Sequence, residues 1–114
     1  MPRILVLDDE PLIAMMLEDW LIEIGHEVVG PAHTAAAALE LVDREPIDGA
    51  FLDLNLGAGI SYAVADALTA KAVPFAFMTG HGGAVQANYA DAPVLAKPFD
   101  FEAMKRALSK IGIG

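Results

Sequence analysis

Five short apolar runs, each of strand length, alternate along this chain with segments whose apolar positions recur at helical spacing. Ile4 to Leu7 is an unbroken β-branched and leucine run, the pattern of a strand buried on both faces. Leu12, Ile13, Met16, Leu17, Trp20, Leu21 and Ile24 then repeat at the spacing of one helix face and stop at Gly25. Trp20 reads as core. Glu27 to Gly30 predicts a second strand, and Thr34 predicts the cap of a helix from Ala35 to Arg44 that ends before Pro46. Ile47 to Leu54, Pro74 to Thr79 and Ala92 to Ala96 predict three more strands. A helix from about Ser61 to Lys71 lies between the first two of these, and Asp100 predicts the cap of a last helix with Phe101, Met104, Leu108 and Ile111 facing inward. Strands joined by crossover-length segments pair in parallel and carry helices on both faces, so the expected class is α/β, a doubly wound parallel sheet.

That architecture needs a core, and 114 residues with 55% hydrophobic and 20% charged composition supply one, as a single domain over residues 1–114. At this length folding buries roughly 65% of the unfolded chain's surface, enough without staples. There is no cysteine, which excludes disulfide scaffolds, thiolate zinc sites and iron–sulfur clusters. Sixteen acids against seven bases give a formal net charge of -9, a surface that repels phosphate backbones and anionic lipid, so neither nucleic acid nor membrane is an expected partner. Apolar runs such as Ala72 to Met78 fall far short of the ~20 residues that span a bilayer, and the first residues lack a signal-peptide pattern, so a cytoplasmic protein is expected.

Parallel sheets bind ligands at their carboxyl edge. The polar residues expected there are Asp8 and Asp9 after the first strand, Asp53 after the third, Thr79 after the fourth and Lys97 after the fifth. Each alone has a plain reading. Asp8, Asp9 and Glu10 before Pro11 favour the positive end of a helix, Asp53 is a loop carboxylate, Thr79 before Gly80 a turn residue, and Lys97–Pro98 a strand exit. Their coincidence at one edge favours a site. In the flavodoxin-like order 2-1-3-4-5 the first and third strands are neighbours, so the three aspartates converge. Two carboxylates about 5 Å apart repel by roughly 3 kcal/mol at an effective dielectric near 20, which a hard divalent cation such as magnesium offsets. Lys97 and Thr79 would add an ammonium and a hydroxyl, a set suited to an aspartyl phosphate.

Ile4-Leu5-Val6-Leu7-Asp8-Asp9-Glu10, Phe51-Leu52-Asp53-Leu54-Asn55-Leu56, Met78-Thr79-Gly80 and Ala96-Lys97-Pro98-Phe99 together resemble the response-regulator receiver domain of two-component signalling. The resemblance implies that Asp53 accepts a phosphoryl group from a histidine kinase or histidine phosphotransfer protein. It implies that Asp9 ligates magnesium directly, that Asp8 acts largely through water, and that Asn55 adds a backbone carbonyl. Thr79 would be the switch hydroxyl, Lys97 the lysine that pairs with the phosphate, and the Lys97–Pro98 bond would be cis. Phe75-Ala76-Phe77-Met78-Thr79-Gly80-His81-Gly82 further resembles the proline-phenylalanine-x-phenylalanine-alanine-threonine-glycine subgroup of single-domain receivers, with Met78 for alanine. Two departures bear on output. Val94 stands where receivers commonly carry Tyr or Phe, and Thr79 to Lys97 is about one helical turn short. A short or irregular fourth helix is therefore expected, with phosphorylation ordering or reorganising Gly80 to Ala92.

Other patterns fail. His26-Glu27 begins like a zinc-protease helix, but Gly30 replaces the second histidine, so His26 is expected at the surface. Neither glycine cluster has the lysine and hydroxyl of a phosphate-binding loop, and Lys105, Arg106 and Lys110 read as a solvated helix end. A magnesium-dependent phosphohydrolase of the haloacid dehalogenase type needs an acid two residues after its nucleophilic aspartate, where this chain has Asn55, and an amide is neither acid nor base. A receiver-like adaptor that binds partners without phosphorylation is the alternative that the residues leave open, and the complete set of five site residues favours the phosphoacceptor over it. A non-enzymatic receiver signalling through protein contacts is expected, since the sequence stops after the last helix and leaves no room for a DNA-binding module.

Overall fold

The computed structural model describes residues 1–56, 59–60, 62–80, 89 and 91–113. Along the chain run β1 (Arg3–Leu7), α1 (Pro11–Glu23), β2 (Glu27–Ala32), α2 (Ala35–Arg44) and β3 (Gly49–Asp53), then a small antiparallel pair, β4 (Asn55–Leu56) and β5 (Gly59–Ile60). They are followed by α3 (Tyr62–Ala70), β6 (Phe75–Thr79), β7 (Val94–Ala96) and α4 (Phe101–Lys110). Five strands pair in parallel in the order β2-β1-β3-β6-β7, the expected second-first-third-fourth-fifth arrangement of the sheet strands. No helix among the described residues is long and apolar enough to cross a membrane.

Side chains alternate across a strand, so an unbroken apolar run feeds two cores. Ile4, Val6, Phe51 and Met78 pack on one face with Ala14, Leu17 and Leu21 of α1 and Met104 and Leu108 of α4. Leu5, Leu7, Leu52 and Phe77 pack on the other with Ala38 and Val42 of α2 and Val64 and Leu68 of α3. Each of these large side chains, fully withdrawn from water, contributes about 1.5–3 kcal/mol. Trp20 is half-buried at the rim of the first core, edge-on to Phe99 and Phe101. The expected caps form: Thr34 Oγ1 accepts from the Ala37 amide at 3.1 Å, and an Asp100 carboxylate oxygen from the Ala103 amide at 2.8 Å.

Several boundaries differ from those the sequence predicts. β2 runs through Ala32, past Gly30-Pro31, because it is an edge strand where a proline's missing N–H disturbs no second neighbour. The register against β1 shifts between Leu5 and Leu7 to admit Gly30, whose φ is +93°. β3 begins only at Gly49, and just before it Arg3 holds the Pro46 carbonyl with its side chain and the Asp48 carboxylate with its amide. β7 starts at Val94, after Pro93. His26 is buried rather than at the surface, only 9% exposed. Gly25, at φ +93°, reverses the chain after α1, the His26 amide bonds back to the Leu21 carbonyl at 2.9 Å, and His26 shares the lining of one groove with Ile24, Leu108 and Ile113. The expected short or irregular helix after Gly80 falls on residues 81–88 and 90, which lie outside the described residues.

Candidate functional site

Register brings four strand ends to one height. Leu7 pairs with Leu52, so the next residues, Asp8 and Asp53, emerge side by side. Asp53 in turn pairs with Met78, and Thr79 with Ala96, which sets Thr79 and Lys97 one step along on the adjoining strands. The Lys97 amide fixes this edge by donating to the Thr79 carbonyl at 2.8 Å. Asp8, Asp53 and Thr79 are buried, at 0%, 3% and 2% exposed, whereas Asp9 and Glu10 face solvent.

Carboxylate oxygens of Asp8, Asp9, Glu10 and Asp53 lie within 4.8 Å of one another. At that spacing each pair repels by roughly 3 kcal/mol at an effective dielectric near 20. Lys97 Nζ is the countercharge, 2.9 Å from Asp8 Oδ2, 2.9 Å from Glu10 Oε1 and 3.4 Å from Asp53 Oδ2. Burial works to lower the lysine's pKa, but its hydrogen bonds to Asp8 and Glu10 and the charges of Asp8 and Asp53 outweigh burial and raise it well above the ordinary value of 10.5. Lys97 is therefore an ammonium throughout the physiological range.

One ammonium does not balance four carboxylates. Asp8 Oδ1 accepts from the Glu10 amide at 2.8 Å, and the Asp8 backbone is tied at both ends, its amide donating to the Ala32 carbonyl at 3.0 Å and its carbonyl accepting from His33 Nδ1 at 2.8 Å. Asp8 Oδ2 is buried, and its one contact among the described residues is the Lys97 ammonium at 2.9 Å. Four carboxylates clustered around a single ammonium are a donor set that suits a hard divalent cation such as magnesium.

All five strand-end residues from the sequence reading meet at this edge. Asn55 opens β4 two residues beyond Asp53, and its side chain lies outside the described residues. Val94 is on β7, 49% exposed. The Lys97–Pro98 bond is cis. Two contributors were not foreseen. Glu10 was read with Asp8 and Asp9 as helix-end charge, yet it makes no side-chain cap and pairs with Lys97 instead. Its place in a run of three acids was the available signal. His33, which holds the Asp8 carbonyl, carries no sequence signal at all.

Comparison with known proteins agrees with this geometry. The family model described as the response regulator receiver domain matches residues 4–109. SdrG from Sphingomonas melonis Fr1 is 44% identical, with 97% of this chain and 96% of that one covered and a TM-score of 0.88. The BeF3-activated conformation of SdrG, reported from Pseudomonas melonis Fr1, is 45% identical with a TM-score of 0.80, covering 95% of this chain and 93% of that one. The phyllosphere-induced regulator PhyR of Methylorubrum extorquens is 37% identical over 102 residues, 85% of this chain, which spans only 38% of PhyR's length.

Proposed function

Since the chain belongs to the response regulator receiver domain family of two-component signalling, we propose that residues 1–114 form a phosphoacceptor receiver in which Asp53 takes the phosphoryl group. The observation that carries this reading is the buried Asp53 carboxylate, 3.4 Å from the Lys97 ammonium and within 4.8 Å of the Asp8 and Asp9 carboxylates. The donor is a histidine kinase or histidine phosphotransfer protein: an Asp53 oxygen attacks phosphorus, the histidine N–P bond breaks, and an acyl phosphate remains on Asp53. Asp8, Asp9, Asp53 and the Asn55 backbone carbonyl would hold magnesium, which when bound neutralises charge on the carboxylates and on the phosphoryl oxygens.

The chain's own groups do the rest. Lys97 sits where it can transfer its contact from Asp53 to a phosphoryl oxygen, stabilising the dianion without a change of protonation. Thr79, at the end of β6, offers a hydroxyl to the same group. No acid stands two residues after Asp53, where Asn55 lies, so the acyl phosphate persists as a signal rather than turning over. Output passes through protein contacts in the cytoplasm, without nucleic acid or membrane. SdrG, whose BeF3-activated conformation is known, supports an aspartate-centred switch by likeness. Acetyl phosphate with magnesium, followed by intact-mass measurement, tests the proposal: one phosphoryl group adds to the wild type and none to Asp53→Asn, whereas equal incorporation by the variant removes the reading.

A further inference from the structure

Although the chain has a net charge of -9, three of its seven Lys and Arg residues, Lys105, Arg106 and Lys110, gather around one groove of about 650 Å³. The groove lies between the end of α1 and the last turns of α4, remote from the Asp53 edge, and its floor is apolar, made by Ile24, Leu108 and Ile113. Lys105 is paired with Glu102 at 3.3 Å and lies over the Phe101 ring, while Arg106 and Lys110 have no ion pair among the described residues. By contrast, Arg3, Lys71 and Lys97 donate to partners within the fold, and Arg44, at the end of α2, has no ion pair among the described residues but no other cation of the chain beside it in such a groove.

His26 also lines this groove. It is 9% exposed, and both ring nitrogens are buried with no hydrogen-bond partner among the described residues. A neutral imidazole has one donor and one acceptor, and folded proteins rarely leave both unmet. Cations placed merely to favour the negative end of α4 would account for Lys110 but for neither the orphaned imidazole nor the apolar floor.

We propose that this groove binds a small organic phosphate, an apolar or aromatic body carrying a phosphoryl group. The body covers Ile24, Leu108 and Ile113. Arg106, Lys105 and Lys110 take the phosphoryl oxygens, with the Arg106 guanidinium able to do so through two parallel N–H donors, and binding turns the His26 ring so that one nitrogen, withdrawn from the groove in the free protein, meets the same ligand. A volume of about 650 Å³ is that of an ordinary small-molecule site. Nothing in this assignment depends on Asp53 being phosphorylated.

The test is an amide NMR titration of the full chain in EDTA with phenylphosphonate, whose P–C bond cannot pass its phosphoryl group to an aspartate. Saturable shifts are expected at His26 and from Lys105 to Ile113, with one His26 ring nitrogen moving to a hydrogen-bonded position in its ¹⁵N spectrum. Benzyl alcohol, lacking the charge, should bind at least about tenfold more weakly, as should inorganic phosphate, lacking the apolar body. Arg106→Glu with Lys110→Glu, both exposed and safe for folding, should weaken phenylphosphonate by a similar factor. Absence of saturation, unchanged affinity in the charge-reversed variant, or shifts confined to Asp8, Asp53 and Lys97 would each overturn the proposal. Inorganic phosphate binding as tightly as phenylphosphonate would do so as well.

Discussion

Replacing Lys97 by methionine keeps the length of the side chain and removes its charge, leaving Asp8 and Asp53 buried without their countercharge. The ammonium lies 2.9 Å from Asp8 Oδ2 and 3.4 Å from Asp53 Oδ2, and both carboxylates are almost wholly withdrawn from solvent. Glu10, at 59% exposed, is discounted as a surface partner. Stripping one member from such a buried cluster costs about 3–5 kcal/mol. For a domain of this size each kcal/mol corresponds to roughly 4 °C, so Lys97→Met in EDTA should melt roughly 12–20 °C below wild type. Magnesium should narrow the gap. The ion and the lysine neutralise the same carboxylates and repel each other, so the variant should show the larger magnesium-induced rise in Tm.

The pH dependence of this gap has a fixed sign. A lysine whose pKa is raised on folding contributes stability that is fully present below its unfolded value of 10.5 and is lost only as pH climbs through the folded value. The difference between wild type and variant should therefore be flat from neutral pH to about 9. Calorimetric melts in EDTA and in magnesium decide the matter. A variant as stable as wild type in EDTA, or one less responsive to magnesium, would refute the electrostatic reasoning.

Three further outcomes are expected. Asp9→Ala should lose the magnesium-induced Tm rise, which in wild type reflects a stabilisation of about 2.7 kcal/mol at 100 times the dissociation constant, and a titration matching wild type would show that the ion is held elsewhere. Gly30→Ala should destabilise by about 1–3 kcal/mol in urea unfolding, because φ is +93° and a Cβ would lie 2.7 Å from the Ala32 amide nitrogen; Gly25→Ala, at the same φ with nothing within 4 Å, should be milder. Asp100→Ala should lose about 1 kcal/mol with the cap on the Ala103 amide, and Asp100→Ser should restore most of it.

Much of this molecule was legible because its chemistry is local or periodic. Ile4 to Leu7 read as doubly buried since its residues alternate between two cores, and the site was legible because parallel register makes every strand's last residue a neighbour of the next strand's. What escaped depends on contacts remote in sequence. Glu10 and Lys97 are 87 positions apart, and nothing near Glu10 announces the partner. Gly30-Pro31 looked like a strand end because its meaning changes at a sheet edge, a fact of topology and not of local propensity. His26 looked like surface because the turn at Gly25 and the closure of α4 over it are settled only when the two ends of the chain meet.

The central claim is that Asp53, and no other carboxylate of the cluster, carries the phosphoryl group. Borohydride reduces an aspartyl phosphate to homoserine and leaves free aspartate untouched. After phosphorylation by acetyl phosphate and reduction, trypsin separates Ile4–Arg44, which holds Asp8 and Asp9, from Glu45–Lys71, which holds Asp53. Tandem mass spectrometry should find homoserine at position 53 and unmodified aspartate at 8, 9, 48 and 66. Homoserine at 8 or 9, or none in a sample whose intact mass shows phosphate, would contradict the account.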